Sequence, residues 1–161
     1  MFSDSHGRDL VKLLAGVEVN VKGGAKMERV VEGISKRSHG GCTVIMGGTN
    51  DESVEEVKRG LFKLREGLGA NGRVVIVGVP HRYDKTYRNS NQVMPKDKLV
   101  ARDNLIREKN VLLKQFCDFH GYKFLNIDDS QRYFYTNHGL HFNMTGKRWL
   151  ADKIQTAVNF L

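Results

Sequence analysis

The stretch TVIMGGTNDESVEEVKRGLFKLREGL, residues 43–68, decides the fold class. It opens on an apolar β-type run, Thr43–Met46, passes through a glycine-rich turn, and continues as an amphipathic helix over 53–68. In that helix Val54, Val57, Leu61, Leu64 and Leu68 recur at spacings of three and four, one apolar stripe. Ser53 and Glu56 stand three apart at its start, the pattern of a capping box. A buried strand feeding a helix through a short turn is half of a βαβ unit.

The same alternation extends in both directions. Further apolar runs lie at Val17–Val21, Val74–Val79 and Tyr122–Asn126, and helical patterns at 25–36, 98–120 and 145–161. In the last, Leu150, Ile154, Val158 and Leu161 fall in register. Strands alternating with helices predict a parallel sheet covered on both faces, a three-layer α/β/α sandwich with right-handed crossovers. The 161 residues, 40% of them apolar, suit a single domain spanning 1–161. The segment 83–97 is polar and aperiodic, and a long loop of this kind in a compact domain is often functional.

Composition narrows the setting. No apolar run is long enough for a membrane-spanning helix, and the first residues show no secretory leader pattern. Cys42 and Cys117 sit in apolar surroundings and read as buried free thiols, which fits a reducing, cytoplasmic environment. The net charge of +8, dense at 58–65 and 95–114, allows weak attraction of RNA or single-stranded DNA, or simply a soluble basic surface. Aromatic residues crowd 116–135, more of them expected in the core than on a stacking surface.

In a parallel α/β sheet, chemistry gathers at the carboxyl ends of the strands. Four motifs fall there. Ser5, in SDSHG (3–7), sits where a strand turns into a helix; it is a nucleophile if a base is near, and equally a helix N-cap. Gly24 follows VEVNV and permits close approach to a backbone N–H, or merely a tight turn. Asn50, in MGGTND (46–51), can donate to a developing oxyanion or cap the next helix. In TNHGLHFNMTGKRWLA (136–151), His138 and His141 lie three apart before the last helix, where a general base, a metal pair or a helix cap would each be at home.

Taken together, in this order, the motifs resemble the blocks of the SGNH (GDSL-type) serine hydrolases, over nearly the whole chain. That resemblance implies a flavodoxin-like sandwich with five parallel strands, Ser5 as nucleophile and His141 as base. It implies an oxyanion hole from the Ser5 N–H, the Gly24 N–H and the Asn50 amide, with small acyl or acetyl esters as substrates and no cofactor or metal. The set is also similar to esterase-type domains encoded in some LINE-type retrotransposons. Two departures stand out. The family's last block usually reads Asp-x-x-His, whereas His138 occupies the aspartate position here. The site is then a Ser–His dyad, or is oriented by a backbone carbonyl, Asp128 or Asp129. The first block has Ser3 where a glycine is usual, preceded by only Met1 and Phe2, so the first strand is expected to be truncated and the sheet weakened around it.

Two other classes compete. A metallophosphoesterase is suggested by Asp4-Ser5-His6-Gly7 and the late histidines, but the intervening Gly-Asp and Gly-Asn-His blocks are missing. A degenerate domain of the same fold, binding nucleic acid or protein through its basic surface, is the non-enzymatic alternative.

Overall fold

The computed structural model describes residues 1–18, 20–34, 41–68, 73–83 and 96–161. The expected loop at 83–97 lies, from residue 84 to 95, outside the described residues. Five strands form one parallel sheet: β1 (Phe2–Ser3), β2 (Asn20–Val21), β3 (Cys42–Met46), β4 (Arg73–Val77) and β5 (Lys123–Leu125), in the order β2-β1-β3-β4-β5. This is the flavodoxin-like order, in which the chain reverses direction across the sheet between β1 and β3.

Strand alternation builds the layers, because successive side chains point to opposite faces. Ile45, Val74 and Ile76 face one side and pack with helices α1 (Met27–Val30), α2 (Val54–Leu68) and α3 (Lys96–His120). Val44, Met46, Val75 and Val77 face the other and pack with α4 (Met144–Asn159) and the segment around Phe134 and Phe142. Both faces are covered, so β3 and β4 read as continuous apolar runs. The result is the expected three-layer α/β/α sandwich.

The first strand is short, as expected, yet the sheet is not interrupted around it. Phe2 and Ser3 pair with Asn20 and Val21 on one side and with Ile45 and Met46 on the other. Flanking bonds extend the ladder: the Asn20 N–H donates to Met1 O (2.8 Å), Lys22 to Ser3 O (2.8 Å) and Asp4 to Met46 O (3.1 Å). The N-terminal ammonium donates to Glu18 O at 2.5 Å. β2 is shorter than the run Val17–Val21, since a two-residue partner limits its ladder; Val19 lies outside the described residues.

Three other expectations shift. The helix expected at 25–36 is only Met27–Val30, because Gly33 takes φ +92°, a left-handed conformation that ends the helical path; residues 35–40 are not described. At α2, Ser53 Oγ accepts the Glu56 N–H (3.3 Å), but the Glu56 carboxylate reaches one residue further than a capping box, to the Glu52 N–H (2.7 Å). Lys26 holds its other oxygen at 2.7 Å. Cys117 is buried, with burial pushing its thiol up to about 12, but Cys42 is only partly buried; both are free. Of the aromatic cluster, Tyr122, Phe134 and Tyr135 are core, whereas Phe119 and Tyr133 are exposed.

α1 and α2 touch through Gly60, where a Cβ would lie 2.5 Å from Met27 Cγ and 2.7 Å from the Glu28 backbone nitrogen. Gly60→Ala gains about 1 kcal/mol of helix propensity but forces two backbones apart. A net loss of about 1–3 kcal/mol is expected, read as a lower midpoint in denaturant; an unchanged or raised midpoint contradicts this contact.

Candidate active site

The carboxyl edge of the sheet carries loops after β1, β2, β3 and β4, and the loop before α4. After β1 the chain enters a short 3₁₀ turn, Ser5–Gly7, capped by Asp4, whose Oδ1 accepts the His6 N–H at 2.9 Å. The turn lifts Ser5 off the sheet edge. Gly7 packs against Ser3, a Cβ at 7 being only 2.6 Å from Ser3 Oγ, so the turn stays close to the strand it leaves.

His141 arrives from the far end of the chain. Its loop is a tight hairpin: the Thr136 N–H donates to His141 O (2.8 Å), Gly139 to Thr136 O (2.8 Å) and Asn143 to Phe134 O (2.8 Å). Asn143 caps α4, accepting the Gly146 N–H at 3.0 Å while its amide donates to Tyr133 O and Tyr135 O. The Arg132 guanidinium donates to Thr136 O (3.0 Å) and Asn137 O (3.1 Å). So held, His141 Nε2 stands 3.1 Å from Ser5 Oγ across a separation of 136 residues.

The loop after β3 is fixed from below. Lys109 of α3, almost fully buried, donates to Gly48 O at 2.9 Å and to Asp51 O. Asp51 Oδ2 accepts the Met27 N–H (2.9 Å) at the start of α1. Asn50 Nδ2 donates to Ala25 O at 3.1 Å, tying this loop to the one that carries Gly24. Gly24 has φ +70° and open space where a Cβ would be, a conformation that favours glycine. Asn110, beside Lys109, performs the same service for the β4 loop: its side chain accepts the Val79 N–H (2.7 Å) and donates to Val79 O (3.1 Å). Neither Lys109 nor Asn110 stands out in the sequence REKNVLL, where both look like surface polar residues.

His138 is exposed on the same hairpin, and it acts on His141 as a like charge. Asp128 accepts from Asn110 Nδ2 (3.3 Å) and faces His81, and Asp129 pairs with Lys153 (2.8 Å), so both carboxylates are engaged away from the histidine loop. Among the described residues, the charged groups that act on His141 are cationic. Burial first, then Arg8, Lys147, Arg82 and His138, hold its pKa below the usual 6.5. His6 entered the sequence reading only as part of the Asp4-Ser5-His6-Gly7 motif, with no role of its own. Its ring is 2% exposed, lies 5.2 Å from the His141 ring and 5.9 Å from Phe142, and neither nitrogen has a protein partner among the described residues. Burial and then the neighbouring positive charges take it down to about 3, so it is neutral at every physiological pH. Among the described residues no group of three or more His, Cys, Asp or Glu side chains is arranged to hold a metal ion, and no helix is long and apolar enough to cross a membrane.

Asp4 is fully buried beneath this site, and burial pushes its carboxyl up to about 6 against the opposing bonds from His6 and Thr49. A carboxylate whose folded pKa lies above its unfolded 3.8 weakens the fold when ionised. That cost is present above pH 6 and vanishes below about 4. Asp4→Asn, which keeps an acceptor for the His6 N–H, should therefore be more stable than wild type by about 1–3 kcal/mol at pH 8, with the advantage fading as the pH is lowered. Melts of both proteins across this range check it; an advantage independent of pH contradicts the ionised, buried state of Asp4.

No family model and no curated protein sequence matches the chain. Solved structures do. The catalytic domain of a peptidoglycan O-acetyltransferase, OatA, from Streptococcus pneumoniae superimposes with a TM-score of 0.68 at 15% identity, over 98% of this chain and 90% of that one. A member of the lipolytic protein G-D-S-L family from Veillonella parvula gives 0.66 at 22% identity, over 99% and 97%. An extracellular lipase from Streptomyces rimosus gives 0.55 at 11% identity, over 89% and 82%. At these identities the likeness is one of fold, and the fold is that of the SGNH (GDSL-type) proteins.

Proposed function

We propose that the chain is a serine hydrolase of the SGNH superfamily that cleaves small acyl or acetyl esters. The observation that carries this reading is the 3.1 Å approach of Ser5 Oγ to His141 Nε2 at the carboxyl edge of the sheet, within reach for proton transfer. In this reading His141, kept neutral, takes the Ser5 proton as Oγ attacks the ester carbonyl. The oxyanion that forms accepts from the Ser5 N–H, the Gly24 N–H and the second N–H of the Asn50 amide. Collapse expels the alcohol, which leaves with the proton from His141 Nε2. Water, deprotonated by the same nitrogen, then releases the acid from acyl-Ser5. An alcohol in place of that water would make the reaction an acyl transfer, the activity named for the OatA neighbour. The site works as a dyad, with His138 supporting the loop. The two free thiols fit a cytoplasmic setting.

Turnover of p-nitrophenyl acetate should fall to near background in Ser5→Ala and His141→Ala, and by roughly 10²–10³ in Asn50→Ala. His138→Ala should cost less than His141→Ala. Because the base must be neutral and its pKa is lowered, the acid limb of kcat/KM should inflect below pH 6.5; His138→Asp, replacing a like charge with an opposite one, should move it upward. Full activity in Ser5→Ala, or complete loss in EDTA, contradicts the serine mechanism.

The net charge of +8 favours a second property, weak binding of RNA or single-stranded DNA without sequence choice. Its affinity should fall linearly with salt on logarithmic axes. Binding unchanged between low and high salt contradicts a charge-driven origin.

A further inference from the structure

We propose that the ester cleaved at this site carries an anionic group, a carboxylate or a phosphate, near its scissile carbonyl, and that Arg82 selects it. The inference rests on the reading of Ser5 and His141 given above and names the substrate class for that site.

Arg82 lies on the loop after β4, and the backbone on both sides of it is pinned. His81 Nε2 is 3.2 Å from Asp128 O, the Tyr83 N–H donates to Gly139 O at 2.9 Å, and the Tyr83 hydroxyl donates to Ser130 O at 2.7 Å. Arg102 donates to Arg82 O itself at 2.6 Å. The second of these bonds joins the Arg82 loop directly to the hairpin that carries His141. Arg82 Nε is shielded from solvent, yet it has no protein partner among the described residues. Buried charged donors are rarely left unmade. The acid that acts on Arg82 is Asp4; its Oδ1 accepts the His6 N–H, and its Oδ2 is buried with no hydrogen-bond partner among the described residues.

The surroundings are cationic. Arg8, exposed, lays its guanidinium beside Gly23, with Nη2 2.9 Å from where a Cβ would be, next to Gly24. Lys147 stands 2.9 Å from Asp9. Among the described residues the cations acting here are Arg8, Arg82 and Lys147 and the nearby carboxylates are Asp4 and Asp9; Lys147 and Asp9 pair with each other, which leaves Arg8 and Arg82 beside Asp4. A cleft of about 860 Å³ on the far side of Gly24 makes the contrast. Its Lys22, Lys26 and Lys63 are paired with Glu32, Glu56 and Glu28, and Arg29 also lines it. A guanidinium offers a planar fork of donors that fits carboxylate and phosphate alike, and a cation-lined site concentrates anionic substrates.

The test compares two pairs of esters that differ by a negative charge: mono-p-nitrophenyl succinate against its methyl ester, and acetoxyethyl phosphate against acetoxyethanol. Wild type should favour the anionic member of at least one pair by about tenfold or more in kcat/KM, the size of one charge-assisted hydrogen bond; the pair showing it tells carboxylate from phosphate. Arg82→Gln should bring that ratio to within about twofold of unity, Arg82→Lys should retain part of it, and Arg8→Gln should lower it less. Arg82→Lys and the exposed Arg8→Gln keep the test informative if Arg82→Gln misfolds. Hydrolysis of all four esters without discrimination, or a preference that survives in folded Arg82→Gln, overturns the inference and leaves the hydrolase reading standing. Hydrolysis of none, in a folded protein, overturns both.

Discussion

The two-residue strand Phe2–Ser3, paired on both edges, is the constraint on which the rest of the structure depends. It occupies the interior of the sheet between β2 and β3 with only two residues in each ladder. Backbone bonds from Asn20, Lys22 and Asp4 lengthen the connection at either end. Because β1 ends at Ser3, the next two residues cross the carboxyl edge of the sheet where the strand order reverses, the place where open α/β sheets form a crevice. Ser5 is therefore set by sheet geometry. The loops that face it are set from other layers: α3 fixes the β3 and β4 loops through Lys109 and Asn110, and α4 fixes the histidine hairpin through Asn143.

Burial and positive charge govern the chemistry at that crevice. Burial is the largest cause that drives Asp4 upward and His6 far downward, with neighbouring like charges adding to it, so the two polar side chains flanking Ser5 in sequence resist ionisation. His141 is only partly buried, and the surrounding cations add to burial in keeping its ring neutral. A neutral imidazole can accept a proton, and the same cations disfavour holding it. A carboxylate at position 138 would stabilise the protonated ring; the histidine there opposes it. The absence of that support and the cationic surroundings point the same way, to a site suited to an anionic partner that supplies the missing negative charge itself.

Much of this was legible in the sequence. The apolar alternation of Val44, Ile45 and Met46, and the stripe through Val57, Leu61 and Leu64, gave the strand, the helix and the two-faced sheet, because they are local periodicities. Ser5 and His141 were named together through the resemblance to the SGNH blocks, since each alone reads equally as a helix-end residue; their 3.1 Å approach is a product of the fold. What was not legible depends on long-range geometry. Nothing near Lys109 marks it as the buried anchor of a loop some sixty residues away. Gly33 cuts α1 short within an otherwise helical pattern, and Glu56 bonds Lys26 and the Glu52 N–H instead of closing a capping box. The burial of the His6 ring and the shielding of Arg82 Nε were likewise invisible in the sequence, because both depend on the packing of distant segments.

The measurement that bears most directly on the central claim is covalent labelling of the folded protein with a fluorophosphonate, followed by peptide mapping of the adduct. The account predicts one adduct, on Ser5, formed slowly in His141→Ala and absent in Ser5→Ala. Stoichiometric labelling that persists in Ser5→Ala, or a wild-type protein that folds cooperatively and takes no label, contradicts it.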